Sequence, residues 1–277
     1  MRYIHHVLTV FRAGSLLGLS FAPLAAAADT LKVGGTGSAL GTMNILAEAF
    51  QASRPDTRIV IVPALGCSGS IKAVAAGALD IGLSGRPLKP AEREQNLAAR
   101  EIARTPLVLA SMRAHSGFRL SDIARIYDGT LQTWPDGGPL RPILRPESDS
   151  ETALLRAMSP GIDRALAVAH ARPGMHIAII DQDSADAIEQ IPGALGPSTL
   201  ALIVSEQRKI KALPLNGVAP SVAALARGSY PYFKPLYFVT ARNPSGPARA
   251  FAAFVQSRQG ARILSDNGYL PLPSGGK

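Results

Sequence analysis

Three short segments of the chain combine small and hydroxylated residues just before a predicted helix. They are residues 35–39 (Gly-Thr-Gly-Ser-Ala), 66–70 (Gly-Cys-Ser-Gly-Ser) and 148–152 (Ser-Asp-Ser-Glu-Thr). The first turn of a helix has unpaired N–H groups and the positive end of the helix dipole, so an anion placed there is bound by amide and hydroxyl donors together. The three segments therefore predict a site for a small anion.

An arginine adds a charged donor to this set. Arg145 follows a predicted strand, and its planar guanidinium can donate to two oxygen atoms of an oxyanion at once. Two plainer interpretations stay open: the segments can be ordinary helix caps, and the arginine can be a surface ion-pair partner. The predicted ligand-binding residues are Gly37, Ser38, Ala39, Cys67, Ser68, Gly69, Ser84, Arg145, Ser150 and Thr152.

The sequence motifs of common enzymes and metal sites are missing. Residues 35–41 are one residue too long for the dinucleotide-binding fingerprint, and residues 66–72 lack the Gly-Lys-Ser ending of a phosphate-binding loop. Beyond the N-terminal segment the histidines are His115, His170 and His176, whose spacing fits no metal site. We therefore expect a binding protein, with no catalytic residue, metal or cofactor.

The elements that must position these residues alternate between strand and helix. Strands predicted at residues 31–33, 58–62 and 80–83 are each followed by a turn of small residues, and the first two turns lead into helices. This alternation favours a mainly parallel sheet covered by helices. The segments at residues 105–112 and 214–221 are candidate crossings between two lobes, because a hinge needs only a few residues.

The N-terminus predicts export from the cytoplasm. Arg2 and Arg12 belong to a basic start, an apolar stretch follows, and four alanines precede Asp29. This is the order of a secretory signal peptide, assigned here to residues 1–28. The apolar stretch is shorter than the roughly 20 residues of a membrane-spanning helix. We therefore expect a periplasmic protein.

The charge balance agrees with an anionic ligand. The chain has a formal net charge of +9, and loss of Arg2 and Arg12 with residues 1–28, which contain no Asp or Glu, leaves +7. The basic residues are scattered and are not interleaved with aromatic residues, which argues against nucleic acid as a partner. A positive field instead raises the local concentration of a small anion.

Several longer motifs resemble the periplasmic phosphate-binding proteins of ABC importers, over residues 31–273. The resemblance rests on residues 66–84, 126–137, 230–238 and 268–272, which stand in the same order as in that family. It implies an α/β fold with the two-lobed periplasmic-binding-protein architecture: mixed sheets flanked by helices, with a ligand cleft between the lobes. Residues 29–110 with 221–277 are assigned to lobe I and residues 111–220 to lobe II.

Three positions depart from the family's pattern. Cys67 replaces a serine, and Gly85 replaces an aspartate that accepts a hydrogen bond from a protonated phosphate. Glu151 replaces a glycine where a negative charge would repel an anion. Either Glu151 turns outward or the ligand is not simple phosphate. The sequence thus leaves open which anion is bound.

The sequence supports one main function and one alternative. The main hypothesis is a monomeric periplasmic receptor that captures phosphate or a similar small oxyanion for an inner-membrane ABC permease. The alternative is a sensory or adhesive envelope protein that uses the same fold with another ligand, and a phosphatase is a distant third. The substitution Arg145→Ala is expected to abolish anion binding with little loss of fold.

Overall fold

The computed structural model describes residues 29–273. The predicted signal peptide, residues 1–28, lies outside the described residues. Within the described part, no helix has both the length and the apolar character needed to cross a membrane.

The described residues form ten strands. Their amphipathic character is visible in the first of them, where Leu31 and Val33 are buried and Thr30 and Lys32 between them are exposed. The strands are β1 (Asp29–Gly35), β2 (Thr57–Ile61), β3 (Ile81–Ser84), β4 (Leu97–Ser111), β5 (Arg141–Leu144), β6 (His176–Ile177), β7 (Ala194–Thr199), β8 (Lys211–Ala212), β9 (Phe233–Ala241) and β10 (Leu270–Pro271).

Eleven α-helices and a short 3-10 helix, Gly37–Ala39, complete the described elements. Apolar residues recur at helical spacing: in the first helix Met43, Leu46, Ala47 and Phe50 form the buried face. The helices are α1 (Leu40–Ser53), α2 (Gly66–Ala75), α3 (Pro90–Arg93), α4 (Leu120–Asp128), α5 (Ser150–Met158), α6 (Pro160–Ala171), α7 (Asp181–Gln190), α8 (Leu200–Ser205), α9 (Val222–Ala226), α10 (Gly246–Val255) and α11 (Arg258–Asp266).

The sheet is mixed, so the expectation of a mainly parallel sheet is wrong. Its strand order is β2-β1-β3-β9-β4-β7-β5-β6, and β8 and β10 pair with β4. Strand β1 is parallel to β2 and β3, and β5 is parallel to β6 and β7. The late strand β9 lies antiparallel between β3 and β4, and β4 is also antiparallel to β7. Local strand–helix alternation does not reveal a strand that returns from so far along the chain.

Two groups of hydrophobic clusters divide the molecule into two lobes. One cluster gathers β1, β3 and β9 against α1 and α10, with Leu46 and Phe251 at its centre. A second surrounds β5 and helices α4 to α6, with Tyr127 and Leu166, and a third packs α7 against β7. The structure therefore confirms the predicted two-lobed α/β architecture.

The long strand β4 links the lobes. Its first part, through Pro106, pairs with β9, and its second part, from Leu107, pairs with β7. Ala224 and Tyr230, which the sequence assigned to lobe I, pack in the second cluster. We propose that lobe II extends to the start of β9, and that β4 and the segment leading into β9 are the two crossings.

Close backbone approach at Gly35 holds the first of the three predicted anion-binding segments in place. A Cβ atom added at Gly35 would lie 2.0 Å from the carbonyl oxygen of Leu83 on β3. Because that oxygen belongs to the sheet backbone, it cannot move away at low cost. Thr36 donates its backbone N–H to the same oxygen at 2.9 Å.

We predict that Gly35→Ala lowers the free energy of unfolding by about 3 kcal/mol or more, because the strand must shift to admit the methyl group. Urea denaturation measures the change. The matched control is Gly77→Ala: Gly77 has φ +69° but open space around its Cβ position, so the cost there is about 1 kcal/mol. Equal losses for the two variants would contradict the close approach.

Candidate functional site

Arg145 lies at the centre of a buried cluster of charges. It follows β5 directly, and it is only 3% exposed, so the interpretation of Arg145 as a surface ion-pair partner is wrong. Its Nη1 donates to the carbonyl oxygen of Ala178 at 3.0 Å, and its Nη2 donates to the Asp149 carboxylate at 3.2 Å. Its Nε lies 3.5 Å from Glu151 Oε2, and Nη2 lies 3.7 Å from Asp181 Oδ2.

Lys234 is the second cation of the cluster. Its Nζ donates to Glu151 Oε1 at 3.0 Å and to Asp181 Oδ1 at 2.7 Å. The sequence analysis missed this residue. The signal that could have revealed it is the alternation in β9, where Lys234 occupies the same buried face as Leu236 and Phe238. A charged residue at an inward position of a strand needs a buried partner.

Glu151 points into the cluster and is only 1% exposed. The outward orientation considered from the sequence is therefore excluded. It is the second residue of α5, two residues after the N-terminal cap Asp149, and its carboxylate contacts Lys234 and Arg145. The structure thus offers a resolution that the sequence did not suggest: a lysine from a distant strand offsets the additional negative charge.

Burial and charge act in opposite directions on the two carboxyl groups that share Lys234. Removal from water raises the pKa of Glu151 to about 7, although Lys234 and Arg145 partly offset this effect. For Asp181 removal from water also favours the neutral form, but the attraction of Lys234 and Arg145 is larger and lowers its pKa. Burial lowers the pKa of Lys234, but Asp181 and Glu151 outweigh it and leave that pKa raised.

The first predicted segment forms the 3-10 helix, which faces α7 of the other lobe. The carbonyl oxygen of Gly37 accepts from Gln182 Nε2 at 3.0 Å, and Thr36 Oγ1 donates to Asp181 Oδ2 at 3.5 Å. Ser38 is buried, with its hydroxyl 3.1 Å from that of Thr36. The start of this 3-10 helix carries no side-chain cap. Ala39 is buried in the first cluster.

The second predicted segment is the first turn of α2 and not a loop before it. Cys67 donates from Sγ to Ser150 Oγ at 3.4 Å across the cleft, and its Sγ accepts from the backbone N–H of Gly85 at 3.1 Å. Ser68 is exposed and accepts from Arg86 Nη2 at 3.0 Å. Gly69 lies one residue further along the helix. This helix start carries no side-chain cap, so the interpretation of the segment as an ordinary cap is wrong.

The third predicted segment does form a cap. Asp149 accepts from the backbone N–H of Glu151 at 2.8 Å, as an N-terminal cap does. Ser150 begins α5 and faces Cys67, whereas Thr152 is buried and donates to the carbonyl oxygen of Arg145 at 3.3 Å. The segment therefore fixes Arg145 and also lies across from the second segment.

Ser84 makes its side-chain hydrogen bonds outside the charged cluster. It is fully buried, and its hydroxyl donates to the carbonyl oxygen of Arg86 at 2.7 Å and accepts from the Arg86 N–H at 3.3 Å. It therefore closes its own turn. Its role as a ligand contact stays a prediction.

The Lys234 side chain lies where a side chain at residue 85 would be. A Cβ atom added at Gly85 would lie 2.7 Å from Lys234 Cε and 3.3 Å from Ser150 Oγ. The side chain that the resemblance leads us to expect at residue 85 would therefore collide with Lys234. A glycine at residue 85 and a lysine at residue 234 therefore fit together in the same packing.

A polar cavity of about 180 Å³ opens next to the cluster. This is several times the ~30 Å³ that one water molecule occupies in the liquid, which is room enough for a small oxyanion. Its lining includes Cys67, Ser68, Gly69, Arg86, Asp149 and Ser150. The starts of α2 and α5 thus lie on the same cavity. Among residues 29–273, no group of three or more His, Cys, Asp or Glu side chains has a metal-binding arrangement.

Comparison with known proteins places this chain in a family of binding proteins. A family model described as the PBP superfamily domain matches residues 22–259. The phosphate-binding protein PstS of Bacillus subtilis (strain 168) is 25% identical over 259 residues, which cover 89% of this chain and 82% of that protein.

Solved structures show the same fold. A Clostridium perfringens protein, assigned as a phosphate ABC transporter substrate-binding protein and solved with bound phosphate, aligns with a TM-score of 0.76 at 20% identity. The alignment covers 88% of this chain and 100% of that one. An ABC-type phosphate transport receptor from Vibrio cholerae aligns with a TM-score of 0.63 at 18% identity, with the same coverage of both chains.

We predict that Lys234→Met lowers the free energy of unfolding by about 3–5 kcal/mol at pH 7, because it leaves two buried carboxyl groups without their shared cation. Urea denaturation measures the loss. Lys211→Met, at an exposed position on β8, is the matched control and should change stability by less than about 0.5 kcal/mol. A similarly small loss for Lys234→Met would show that Lys234 is not in the cluster.

We also predict a pH-dependent difference between the wild type and Glu151→Gln. The folded protein retains the Glu151 proton up to about pH 7, whereas the unfolded chain releases it near pH 4.5. The stabilising contribution of the protonated carboxyl is therefore complete below pH 4.5 and is lost as the pH rises through about 7. The variant should match the wild type at pH 4.5 and exceed its stability by about 3 kcal/mol at pH 8. A constant difference across this range would contradict the raised pKa.

Proposed function

Because this chain belongs to the PBP superfamily, we propose that it is a receptor that closes its two lobes around phosphate or a similar small oxyanion. The observation that carries the proposal is the buried Arg145 beside a polar cavity at the starts of α2 and α5. The names of its relatives, among them a phosphate-binding protein with which it aligns over 89% of its length, support this class of ligand.

The proposed ligand contacts are mainly backbone amides. The starts of the 3-10 helix and of α2 carry no side-chain cap and leave N–H groups for an anion. The dipoles of α2 and α5 add a favourable potential at their N-termini. The hydroxyls of Ser84 and Thr152 already donate to backbone oxygens. The Arg145 guanidinium is the proposed counter-charge, and Asp149 and the carbonyl oxygen of Ala178 hold it in place.

Lobe closure provides the proposed signal to a partner. Contacts across the cleft join the 3-10 helix to Gln182 on α7 and Cys67 on α2 to Ser150 on α5. Exclusion of water from the closed cleft strengthens every hydrogen bond to the anion. A ligand that binds the closed form better shifts the protein toward that form, which an inner-membrane ABC permease then recognises.

We further propose that the protein is exported to the periplasm, acts as a monomer and performs no chemistry on its ligand. The basic start and the run of alanines in residues 1–28 support export. The similarity to binding proteins along nearly the whole chain favours transport over a sensory or adhesive role.

The burial of Arg145 changes the choice of test. Arg145→Ala would leave three buried or half-buried carboxyl groups with one cation, and we now expect it to destabilise the fold by about 3–5 kcal/mol. Arg145→Lys keeps the charge and removes the planar pair of donors. It is therefore the variant that separates binding from folding.

We predict that the wild-type protein, unfolded to remove bound ligand and then refolded, binds phosphate in isothermal titration calorimetry. Arg145→Lys should weaken this binding about 100-fold, because charge-assisted pairs of hydrogen bonds are worth about 2–3 kcal/mol. Arg164→Lys, at an exposed position on α6, is the matched control and should bind as the wild type does. Circular dichroism checks the fold of each variant. Equal affinity for all three proteins would remove Arg145 from the site.

A further inference from the structure

The buried cluster carries an unbalanced charge. Its carboxyl groups are Asp149, Glu151 and Asp181, and its cations are Arg145 and Lys234. Three negative and two positive charges leave a formal net charge of −1 when all five groups are ionised. A bound dianion such as hydrogen phosphate or sulfate would make the net charge −3 in a site largely removed from water. Charges of one sign at this density cannot be held out of water without a compensating cation.

Glu151 is the member of the cluster best placed to accept such a cation in the form of a proton. It is 1% exposed, and its Oε2 has no hydrogen-bond partner. A donor that faces this oxygen, Arg145 Nε at 3.5 Å, is also buried without a partner. The two atoms face each other without the geometry of a hydrogen bond. A ligand oxygen that accepts from Arg145 Nε would therefore lie beside the free carboxylate oxygen.

Five charged or titratable groups, each from a different part of the fold, act on Glu151. Two are cations and three are acids, counting the phenol of Tyr127. They are Lys234 on β9, Arg145 after β5, Asp181 on α7, Asp149 at the cap of α5 and Tyr127 on α4. Asp181 stays ionised because Lys234 and Arg145 lower its pKa, and burial raises the pKa of Tyr127. Asp149 is only half-buried, and its carboxylate accepts a hydrogen bond from Arg145 Nη2.

We propose that an oxyanion enters this cleft together with one proton, which Glu151 holds while the anion is bound. The proposal rests on the proposed function and concerns the regulation of the same site. The proton comes from solvent or from the anion itself, and it lies between Glu151 Oε2 and the anion. The neutral carboxyl then becomes a hydrogen-bond donor, so the group that repels an anion when ionised binds it when protonated. Release of the proton at higher pH restores the repulsion and expels the anion.

The consequence is that affinity depends on pH through one residue. Below the pH at which Glu151 ionises in the empty cleft, binding needs no further proton. Above it, each anion must bring one proton, and the affinity falls about tenfold per pH unit by linkage. Sulfate distinguishes the protein's proton from the ligand's, because sulfate has no titration between pH 6 and pH 9.

The experiment is isothermal titration calorimetry of the full-length mature protein with phosphate and with sulfate at pH 6, 7, 8 and 9. Each titration is repeated in two buffers of different ionisation enthalpy, which gives the number of protons taken up. We expect the uptake by the wild type to exceed that of Glu151→Gln by about one proton per anion at pH 8 to 9 and by nearly none at pH 6. The affinity of the variant should lack the fall that this proton causes. The ratio of the two affinities should therefore change by about tenfold for each pH unit above 7.

Glu147→Gln is the matched control, since Glu147 is 66% exposed, contacts Arg156 and lies outside the cluster. It should take up protons as the wild type does. Infrared difference spectra of the wild type give a readout that does not need a variant: anion binding at pH 8 should produce the carbonyl stretch of a newly protonated carboxyl group. This readout decides the matter if Glu151→Gln does not fold.

The outcomes separate the two proposals. Binding of phosphate with equal proton uptake in the wild type and Glu151→Gln, or without the new carbonyl band, overturns the role of Glu151 and leaves the receptor function intact. The absence of phosphate and sulfate binding by the wild type at every pH overturns the receptor function, and the proton coupling falls with it.

Discussion

The structure depends on the need to balance charges that have been removed from water. Arg145 and Lys234 are both almost fully buried, and each one contacts more than one carboxyl group. The members of this cluster come from β9, α7, the start of α5 and the segment after β5. Their mutual attraction therefore joins lobe II to β9, the strand by which the chain returns to lobe I. A cleft built in this way is polar, and its two cations are shared among three carboxyl groups.

The three residues that depart from the family's pattern contact one another or Lys234. Gly85 has no side chain, which leaves room for Lys234, and Lys234 in turn donates to the Glu151 carboxylate and offsets its charge. Cys67 accepts from the backbone of Gly85 and donates toward Ser150, so it takes part in the same contact between the second and third segments. Three substitutions that conflict with anion binding when taken separately form one packed unit with a fourth residue, far away in sequence.

Much of the fold was predictable because its signals are local. Alternation of apolar residues in β1 and the helical spacing in α1 follow from the need to bury one face of each element. The mixed sheet was not predictable in this way. Its antiparallel pairs join β9 to β3 and β4, across more than 100 residues in places, and no local pattern records which distant strand completes a sheet.

The sequence by itself determined which segments place small and hydroxylated residues at helix starts, and on that local property it predicted an anion site. It also singled out Arg145 and identified Glu151 as a conflict. Only the tertiary structure decided the direction of the Glu151 side chain and the identity of its partners. Lys234 lies 83 residues from Glu151 and 53 residues from Asp181 along the chain, and a buried charge is balanced by groups that are near it in space, which the order of residues does not give.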